Sequence, residues 1–270
     1  MDIGLRDRVY IVTGGSRGLG FAAATALVRE GARVVISGPH ESTVSVAAAR
    51  LEQDVNAPGS ATWVVADNAD PAAPERLSAA ATSRFGRLDG AMISVGGTPP
   101  GTLMGTTDDA WRSAFESVFL GGVRLARVLA TSLSGRSEAG SLGSHTGTGG
   151  SLALVLAASV RAPIARLPVS NGLFPGLAGV VKSLAEELGP SGVRINGLLP
   201  ARIATDRVRE FDALSGDPDD VRARQSELIP LRRYGEPEEF ARTAAFVLSP
   251  AASYMTGAMI PVDGGAIRSI

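Results

Sequence analysis

Seven short, apolar and β-rich runs alternate with longer helical patterns along the 270 residues of this chain. The runs are RVYIVTGG, RVVISG, ATWVVAD, LDGAMISVGG, SLALVLAAS, VRINGLLP and GAMIPVDGG. Strands that are apolar on both faces and separated by helices indicate a parallel sheet covered on both sides. Right-handed crossovers then predict a Rossmann-type, doubly wound α/β fold of about seven strands. No internal repeat or long linker divides the chain, so we expect a single domain over residues 1–270.

Composition narrows the class of protein. A hydrophobic content of 44% with 20% charged residues is typical of a globular chain that buries a full core. The net charge of −1 gives no reason to expect a nucleic-acid or membrane partner. The absence of cysteine excludes disulfides and thiolate chemistry, and with only two histidines we expect no metal site. The N-terminus lacks the pattern of a signal peptide, so we expect a cytoplasmic protein.

The segment TGGSRGLG, residues 13–20, joins the first strand to the first helix. Gly14 permits a tight turn, Gly18 lets the backbone approach a pyrophosphate, and Gly20 lets the helix pack closely on the strand. The helix N-terminus offers free N–H groups and the positive end of its dipole to phosphates. The spacing is G-x-x-x-G-x-G instead of G-x-G-x-x-G, but its place between strand and helix still predicts nucleotide binding.

The end of the second strand indicates which nucleotide is bound. It reads Ser37-Gly38-Pro39-His40, with no carboxylate to accept hydrogen bonds from a ribose 2′-OH or to repel a 2′-phosphate. Arg17 can reach such a phosphate, so the sequence predicts NADP(H), with NAD(H) as the alternative. The simpler interpretation of Arg17 is a solvated loop residue, and we expect His40 to be an ordinary surface histidine.

These residues resemble the short-chain dehydrogenase/reductase family, and the resemblance covers nearly the whole chain. TGGSRGLG is similar to the TGxxxGxG loop of that family, and VVADNAD is similar to its third-strand ending. GLLPARIATD resembles the PGxxxT segment, with Ala201 in place of the glycine. GEPEEFARTAAFVLSPAASYMTGAMIPVDGG is similar to the C-terminal third. The nearest subgroup is the bacterial 3-oxoacyl-carrier-protein reductase type.

The resemblance implies which residues line the cofactor. Asp67 would hold the adenine amino group, and Thr205 would hold the nicotinamide amide. The full set implied to contact the cofactor is Gly14, Ser16, Arg17, Gly18, Leu19, Gly20, Asp67, Asn68, Val95, Gly96, Pro200, Ile203 and Thr205. The resemblance also implies a small-molecule substrate and a homodimer or homotetramer.

The resemblance ends at the catalytic residues. The family uses a serine after the fifth strand, a Y-x-x-x-K motif on the next helix and an asparagine on the fourth helix. Ser159 stands at the serine position. Alignment on SLAEELGP puts Ser170 at the tyrosine and Phe174 at the lysine, and alignment on Trp111 puts Val118 at the asparagine.

A shifted register does not restore the motif. The tyrosines are Tyr10, Tyr234 and Tyr254, the only lysine is Lys182, and no Y-x-x-x-K occurs in the sequence. Pro175 suits the first turn of a helix. We therefore expect the helix to begin at Phe174–Pro175 and residues 170–174 to form a loop before it. His145 precedes the fifth strand, so we expect it at the opposite edge from any site.

The leading hypothesis is an NADP(H)-dependent carbonyl reductase or alcohol dehydrogenase with an atypical active site at Ser159 and Ser170. Ser159 either binds a carbonyl oxygen or caps its strand, and both interpretations stay open. Ser170 is too weak an acid to replace a phenol, but it can donate a hydrogen bond or position a water. The rival hypothesis is a non-catalytic nucleotide-binding protein, as a sensor or as the partner subunit of an active homologue in a hetero-oligomer. Lyase or isomerase chemistry on the same scaffold is a third.

Overall fold

The computed structural model describes residues 2–134 and 149–269 and contains one seven-stranded sheet. The strand order is β3-β2-β1-β4-β5-β6-β7, and each neighbouring pair is parallel. The strands are β1 Val9–Val12, β2 Arg33–Gly38, β3 Ala61–Val65, β4 Gly90–Ser94, β5 Ser151–Val155, β6 Arg194–Pro200 and β7 Met259–Val262. The predicted Rossmann-type sheet is confirmed.

Helices cover both faces of the sheet. They are α1 Gly18–Arg29, α2 Glu41–Val55, α3 Ala73–Phe85, α4 Asp108–Ala114, α5 Gly121–Ser134, α6 Pro168–Leu188, α7 Asp206–Ala213, α8 Pro218–Leu228 and α9 Pro237–Leu248. A π-helical segment, Phe115–Leu120, joins α4 to α5. Buried residues of α1, α2 and α9 form one apolar cluster, and buried residues of α3, α5 and α6 form another.

The strands divide their side chains between these two clusters. In β1, Tyr10 and Val12 belong to the cluster with α1 and α9, whereas Val9 and Ile11 belong to the cluster with α3 and α5. This alternation follows from the two-residue period of a strand, and it leaves both faces buried. The strand sequences are nearly continuous apolar runs because helices cover both faces of the sheet.

The strand order reverses between β1 and β4, and at that point the loops leave the sheet in opposite directions. Thr13 Oγ1 donates to the carbonyl oxygen of Ser94 at 3.1 Å and accepts from Ser94 N–H at 2.9 Å. Ligands of doubly wound sheets bind outside the carboxyl ends of the strands at such a reversal. The segment TGGSRGLG therefore follows the strand that flanks the expected crevice.

The prediction of a loop at residues 170–174 is wrong. Helix α6 begins at Pro168, and its first turns bury Val169, Ser170, Leu173 and Phe174. A proline inside a helix costs about 3 kcal/mol, but burial of a leucine or phenylalanine side chain contributes roughly 1.5–3 kcal/mol. Two such side chains offset the penalty, and Pro175 lies on the exposed side of the helix.

The proline that marks the helix start is Pro168, not Pro175. Pro168 occupies the first turn, where a missing N–H leaves no intrahelical hydrogen bond unmade. Asn171 then fixes the incoming chain, because its side chain accepts from Ile164 N–H at 2.8 Å and donates to the Ile164 carbonyl at 2.9 Å. His145 lies outside the described residues. Among those residues, no helix is long and apolar enough to cross a membrane.

Candidate active site

The glycine-rich turn has the geometry that a close ligand approach requires. Gly14 and Gly18 have φ values of +62° and +56°, a region that favours glycine. A Cβ on Gly20 would lie 2.2 Å from the carbonyl oxygen of Gly14, so no larger residue fits there. The turn therefore brings bare backbone to the start of α1.

Within residues 2–134 and 149–269, the first N–H groups of α1 have no side-chain cap. Its N-cap residue, Arg17, makes no side-chain capping hydrogen bond, and the first turn carries no acidic residue. Helix α7 differs, since Thr205 accepts from Val208 N–H at its start. Unsatisfied N–H groups and the positive end of the helix dipole together form a place where an anion is stabilised.

The end of β2 packs against this turn. Gly38 is buried, and a Cβ there would lie 3.3 Å from Ser16 Oγ, so Ser16 covers the position where a carboxylate would stand. Arg17 and His40 are exposed, and Arg17 forms no ion pair with any described residue. The side chains near this edge thus leave the Arg17 guanidinium available to an anionic ligand.

The loop after β3 is tied to the end of β4. Asn68 Nδ2 donates to the Ser94 carbonyl at 2.9 Å, and a Cβ at Gly121 would lie 2.5 Å from the Asn68 carbonyl oxygen. Asp67 is exposed, and its carboxylate accepts from the backbone N–H of Ala69 at 2.9 Å. The arrangement holds Asn68 in place and leaves Asp67 open to solvent at the crevice.

The segment after β6 approaches the glycine-rich turn from the other side. Pro200 ends β6, and Ile203 is buried and bridges to Gly235. A Cβ at Gly18 would lie 3.7 Å from Cγ2 of Thr205. Gly18, which the sequence analysis assigned to the pyrophosphate, and Thr205, which it assigned to the nicotinamide, are therefore neighbours.

The two serines singled out in the sequence are in contact. Ser159 follows β5 in a short 3₁₀ turn, Ala158–Val160, and its Oγ lies 2.9 Å from Ser170 Oγ on α6. Both residues are buried, with exposed fractions of 4% and 2%. Either hydroxyl can donate to the other, and Ser159 Oγ also lies 3.4 Å from the carbonyl oxygen of Ser170. A ligand oxygen would compete with that carbonyl for the second hydroxyl proton.

An apolar wall adjoins this hydroxyl pair. Phe174, one helical turn after Ser170, belongs to the same buried cluster as Val95 and Val118. Val118 lies in the π-helical segment, a feature that is frequent at functional sites. A Cβ on Gly122 would lie 2.9 Å from Val95 Cγ1, so this wall is tightly packed. The buried hydrophobic residues of this cluster therefore supply hydrocarbon next to the two hydroxyls.

The tyrosines lie in other contacts. Tyr10 is buried in β1, and its hydroxyl donates to the Leu248 carbonyl at 3.4 Å; burial raises its pKa. Tyr234 donates to Asp212 Oδ2 at 2.9 Å, and burial together with this hydrogen bond raises its pKa to about 12. Tyr254 is fully exposed. A phenol with a raised pKa is a weaker acid, which disfavours Tyr10 and Tyr234 as proton donors.

The sequence indicates a lid over about residues 204–230, and α7 and α8, which we call the lid, fall within that range. Its contacts were not predicted. Asp212 is the buried residue of α7, and it binds both Tyr234 and the guanidinium of Arg202. At the other end of α7, Arg207 donates to the Thr98 carbonyl at 3.1 Å. These contacts join residues that are far apart in the sequence, so hydrophobic periodicity does not predict them. The run of charged residues in ARIATDRVREFD is the feature that points to ion pairs here.

A separate groove of about 830 Å³ runs between α1, the lid and α9. Gly18 and Thr205 line one end of it, but neither Ser159 nor Ser170 does. The groove is therefore adjacent to the crevice at the glycine-rich turn. The buried Ser159–Ser170 pair lies outside the groove.

Comparison with known proteins finds relatives over nearly the whole length of the chain. Residues 14–266 match a family model described as enoyl-(acyl carrier protein) reductase. L-Rhamnose 1-dehydrogenase (NAD(P)(+)) from Azotobacter vinelandii is 33% identical over 264 residues, which cover 97% of both chains. Levodione reductase from Leifsonia aquatica is 33% identical over 269 residues, covering 96% of this chain and 94% of the relative.

Solved structures agree with this placement. The crystal structure of L-sorbose reductase from Gluconobacter frateurii, complexed with NADPH and L-sorbose, has a TM-score of 0.88 and 26% identity. The alignment covers 100% of each chain. Fold and sequence thus lead to the same group of proteins.

Proposed function

The chain belongs to the short-chain dehydrogenase/reductase family of NAD(P)-dependent oxidoreductases, and on this premise we propose that it interconverts a carbonyl compound and an alcohol with NADP(H). The observation that carries the proposal is the Ser159–Ser170 hydroxyl pair, 2.9 Å apart at the carboxyl edge of the sheet. It follows the strand next to β4, which borders the dinucleotide crevice. This position supports a reaction centre shared by Ser159, Ser170 and the bound cofactor.

The residues of the crevice fit NADP(H). The uncapped start of α1 and the positive φ of Gly14 and Gly18 suit a pyrophosphate. Gly38 in place of an acidic residue, with the unpaired Arg17 nearby, favours a 2′-phosphate. Asp67 is open to an adenine amino group, and Thr205 stands near Gly18 for the nicotinamide end. NAD(H) is the alternative that this arrangement disfavours.

The bound cofactor supplies or accepts the hydride. The protein's part is to hold the substrate oxygen and to manage its proton. In this reaction the second hydroxyl proton of the Ser159–Ser170 pair turns from the Ser170 carbonyl to the substrate oxygen, and this hydrogen bond stabilises the charge that develops there. An aliphatic hydroxyl is a weak acid, so the proton that finally neutralises the alkoxide comes from water by way of this pair. The apolar wall of Phe174, Val118 and Val95 excludes bulk solvent, which strengthens the hydrogen bond.

The proposal implies that the protein works without three residues of the family's catalytic set. Ser170, Phe174 and Val118 stand where the tyrosine, lysine and asparagine are expected. Loss of a general acid typically lowers the rate about 10²–10⁴-fold. We therefore expect slow turnover that depends on substrate positioning.

Consumption of NADPH with levodione and L-sorbose, and formation of NADPH with L-rhamnose, tests the proposal with compounds named for the relatives. The result expected is turnover of at least one compound, or of a wider ketone and alcohol panel, which is lost in Ser159→Ala. NADPH binding without any turnover across the panel would contradict a catalytic role.

The apolar wall also favours a second candidate function, a non-catalytic NADP(H)-binding subunit that assembles with an active homologue. Phe174 and Val118 are buried hydrocarbon side chains at the positions where the family has a lysine and an asparagine. Such replacements are expected in a protein that no longer needs the polar catalytic groups. Purification from the native host, followed by mass spectrometry of the intact assembly, distinguishes the two. A hetero-oligomer with an active relative supports this candidate, and a homo-oligomer that turns over substrate excludes it.

A further inference from the structure

We infer that Arg207 selects a substrate that carries a carboxylate; the inference rests on the proposed function. Arg207 is exposed in α7 after β6, and it donates to the carbonyl of Thr98 in the loop after β4. Strand β5 lies between β4 and β6, and Ser159 follows β5. The contact therefore joins the two chain segments that leave the sheet on either side of the strand that leads to Ser159.

Gly97 makes this position possible. A Cβ at Gly97 would overlap Nη2 and Cζ of Arg207, so the guanidinium lies directly on bare backbone. Any side chain at this position would push the guanidinium away from the loop. Gly97 and Arg207 therefore act as one unit, although they lie 110 positions apart in the sequence.

The guanidinium has donors to spare. An arginine offers five N–H donors, and Arg207 uses one of them on the neutral carbonyl of Thr98. No carboxylate among the described residues forms an ion pair with it, in contrast to Arg202 and Arg209 of the same region. Its fork of donors matches a carboxylate in a bidentate arrangement.

The substrate is a better source of this anion than the cofactor. The pyrophosphate is expected at Gly18–Gly20 after β1, whereas the guanidinium rests on Gly97, on the side of β4 that leads towards β5. An anion bound here would lie between the segments that flank β5, the strand that leads to Ser159. A carbonyl compound with a carboxylate would then place its oxygen at the hydroxyl pair and its charge at Arg207.

The lid contacts suggest how this group enters. Asp212 anchors the far end of α7 through Tyr234 and Arg202, so the lid stays attached when the near end moves. At the near end the Arg207–Thr98 hydrogen bond is readily exchanged for a charge-assisted one, which is about twice as strong. A carboxylate would replace the Thr98 carbonyl as the partner of Arg207.

The test measures binding to the NADP⁺-saturated protein by calorimetry. The probes are 2-oxopentanoate, 4-oxopentanoate and 5-oxohexanoate, each compared with its neutral methyl ester. We expect at least one acid to bind about 10–100-fold more tightly than its ester, as for a charge-assisted hydrogen bond. Arg207→Gln should abolish this preference, Arg207→Lys should retain part of it, and Gly97→Ala should reduce it by displacing the guanidinium.

The outcomes separate this inference from the proposed function. A protein that binds NADP⁺ but no acid better than its ester would overturn the inference alone, as would a preference that survives Arg207→Gln. A parallel loss of NADP⁺ affinity in Arg207→Gln would also overturn it, because the guanidinium would then serve a cofactor phosphate. Failure of the unchanged protein to bind NADP⁺ would overturn the proposed function and this inference together.

Discussion

The two sides of the crevice differ in what their residues are built to do. Around the glycine-rich turn, backbone is bare, α1 begins without a cap, and Arg17 is unpaired. Around Ser159 and Ser170, side chains are packed, apolar and buried. We propose that the first region binds a dinucleotide, and that the second carries hydroxyls and hydrocarbon where ionisable catalytic groups are expected. Cofactor binding and proton transfer have thus separate structural requirements in one fold.

The largest effect on NADPH binding is expected from adding a side chain at Gly20 in the glycine-rich turn. In Gly20→Ala, the new Cβ meets the Gly14 carbonyl oxygen, which must shift. We expect a loss of about 1–3 kcal/mol of stability, as for overpacking, with NADPH binding no longer measurable by calorimetry. The control is Gly179→Ala on α6, where nothing lies within 4 Å of the new Cβ. It should bind NADPH normally, and equal behaviour of the two variants would contradict the assigned role of Gly20.

Restoring ionisable groups to the second region should raise the rate. Ser170 and Phe174 are one turn apart on α6, so Ser170→Tyr with Phe174→Lys would place a phenol beside an ammonium group, which lowers the pKa of the phenol. We expect a gain in kcat of about 10²–10⁴-fold, the usual contribution of a general acid.

The matched control for that gain is Ser170→Phe with Phe174→Lys, which has similar bulk but no phenolic hydroxyl. Circular dichroism and NADPH titration establish that both variants fold and bind cofactor. A folded, NADPH-binding tyrosine variant with no gain over the phenylalanine control would contradict the placement of residues 170 and 174 at the reaction centre.

Removal of one serine tests whether the hydroxyl pair has a catalytic role or only a structural one. Ser159→Ala should lower kcat/KM by about 10²–10³-fold, as for loss of one oxyanion donor, with an unchanged NADPH affinity. It also leaves Ser170 Oγ without this partner, which costs about 1–3 kcal/mol of stability. A stability loss without a rate loss would mean that Ser159 only caps its strand.

A smaller effect is expected at the end of β2. Gly38→Asp places a carboxylate beside the predicted 2′-phosphate, so NADPH should bind about 10–100-fold more weakly while NADH affinity holds or rises. Gly38→Ala adds the same Cβ contact with Ser16 without the charge, and should change both affinities alike. If Gly38→Asp weakens NADPH no more than Gly38→Ala does, the 2′-phosphate does not bind at this edge.

The sequence predicts the sheet well because its seven runs are apolar on both faces. A parallel sheet covered by helices on both sides buries such strands. It predicts the start of α6 poorly, since Pro168 and Pro175 carry the same local signal. Burial of Val169, Leu173 and Phe174 decides between them, and burial depends on tertiary contacts. The Ser159–Ser170 contact joins two residues that the resemblance had already marked. The Arg207–Thr98 contact depends on how far the chain after β6 reaches towards β4, and no local pattern records that distance.

We propose that the crevice binds NADP(H) while the catalytic groups beside it are altered. Calorimetric titration of the purified protein with NADPH and with NADH measures whether the crevice binds the cofactor. We predict saturable binding of NADPH, with NADH at least about tenfold weaker because it cannot use Arg17. Binding of neither nucleotide would contradict the account: the scaffold would then have lost its cofactor, and the apolar wall at Phe174 would reflect relaxed constraint instead of altered chemistry.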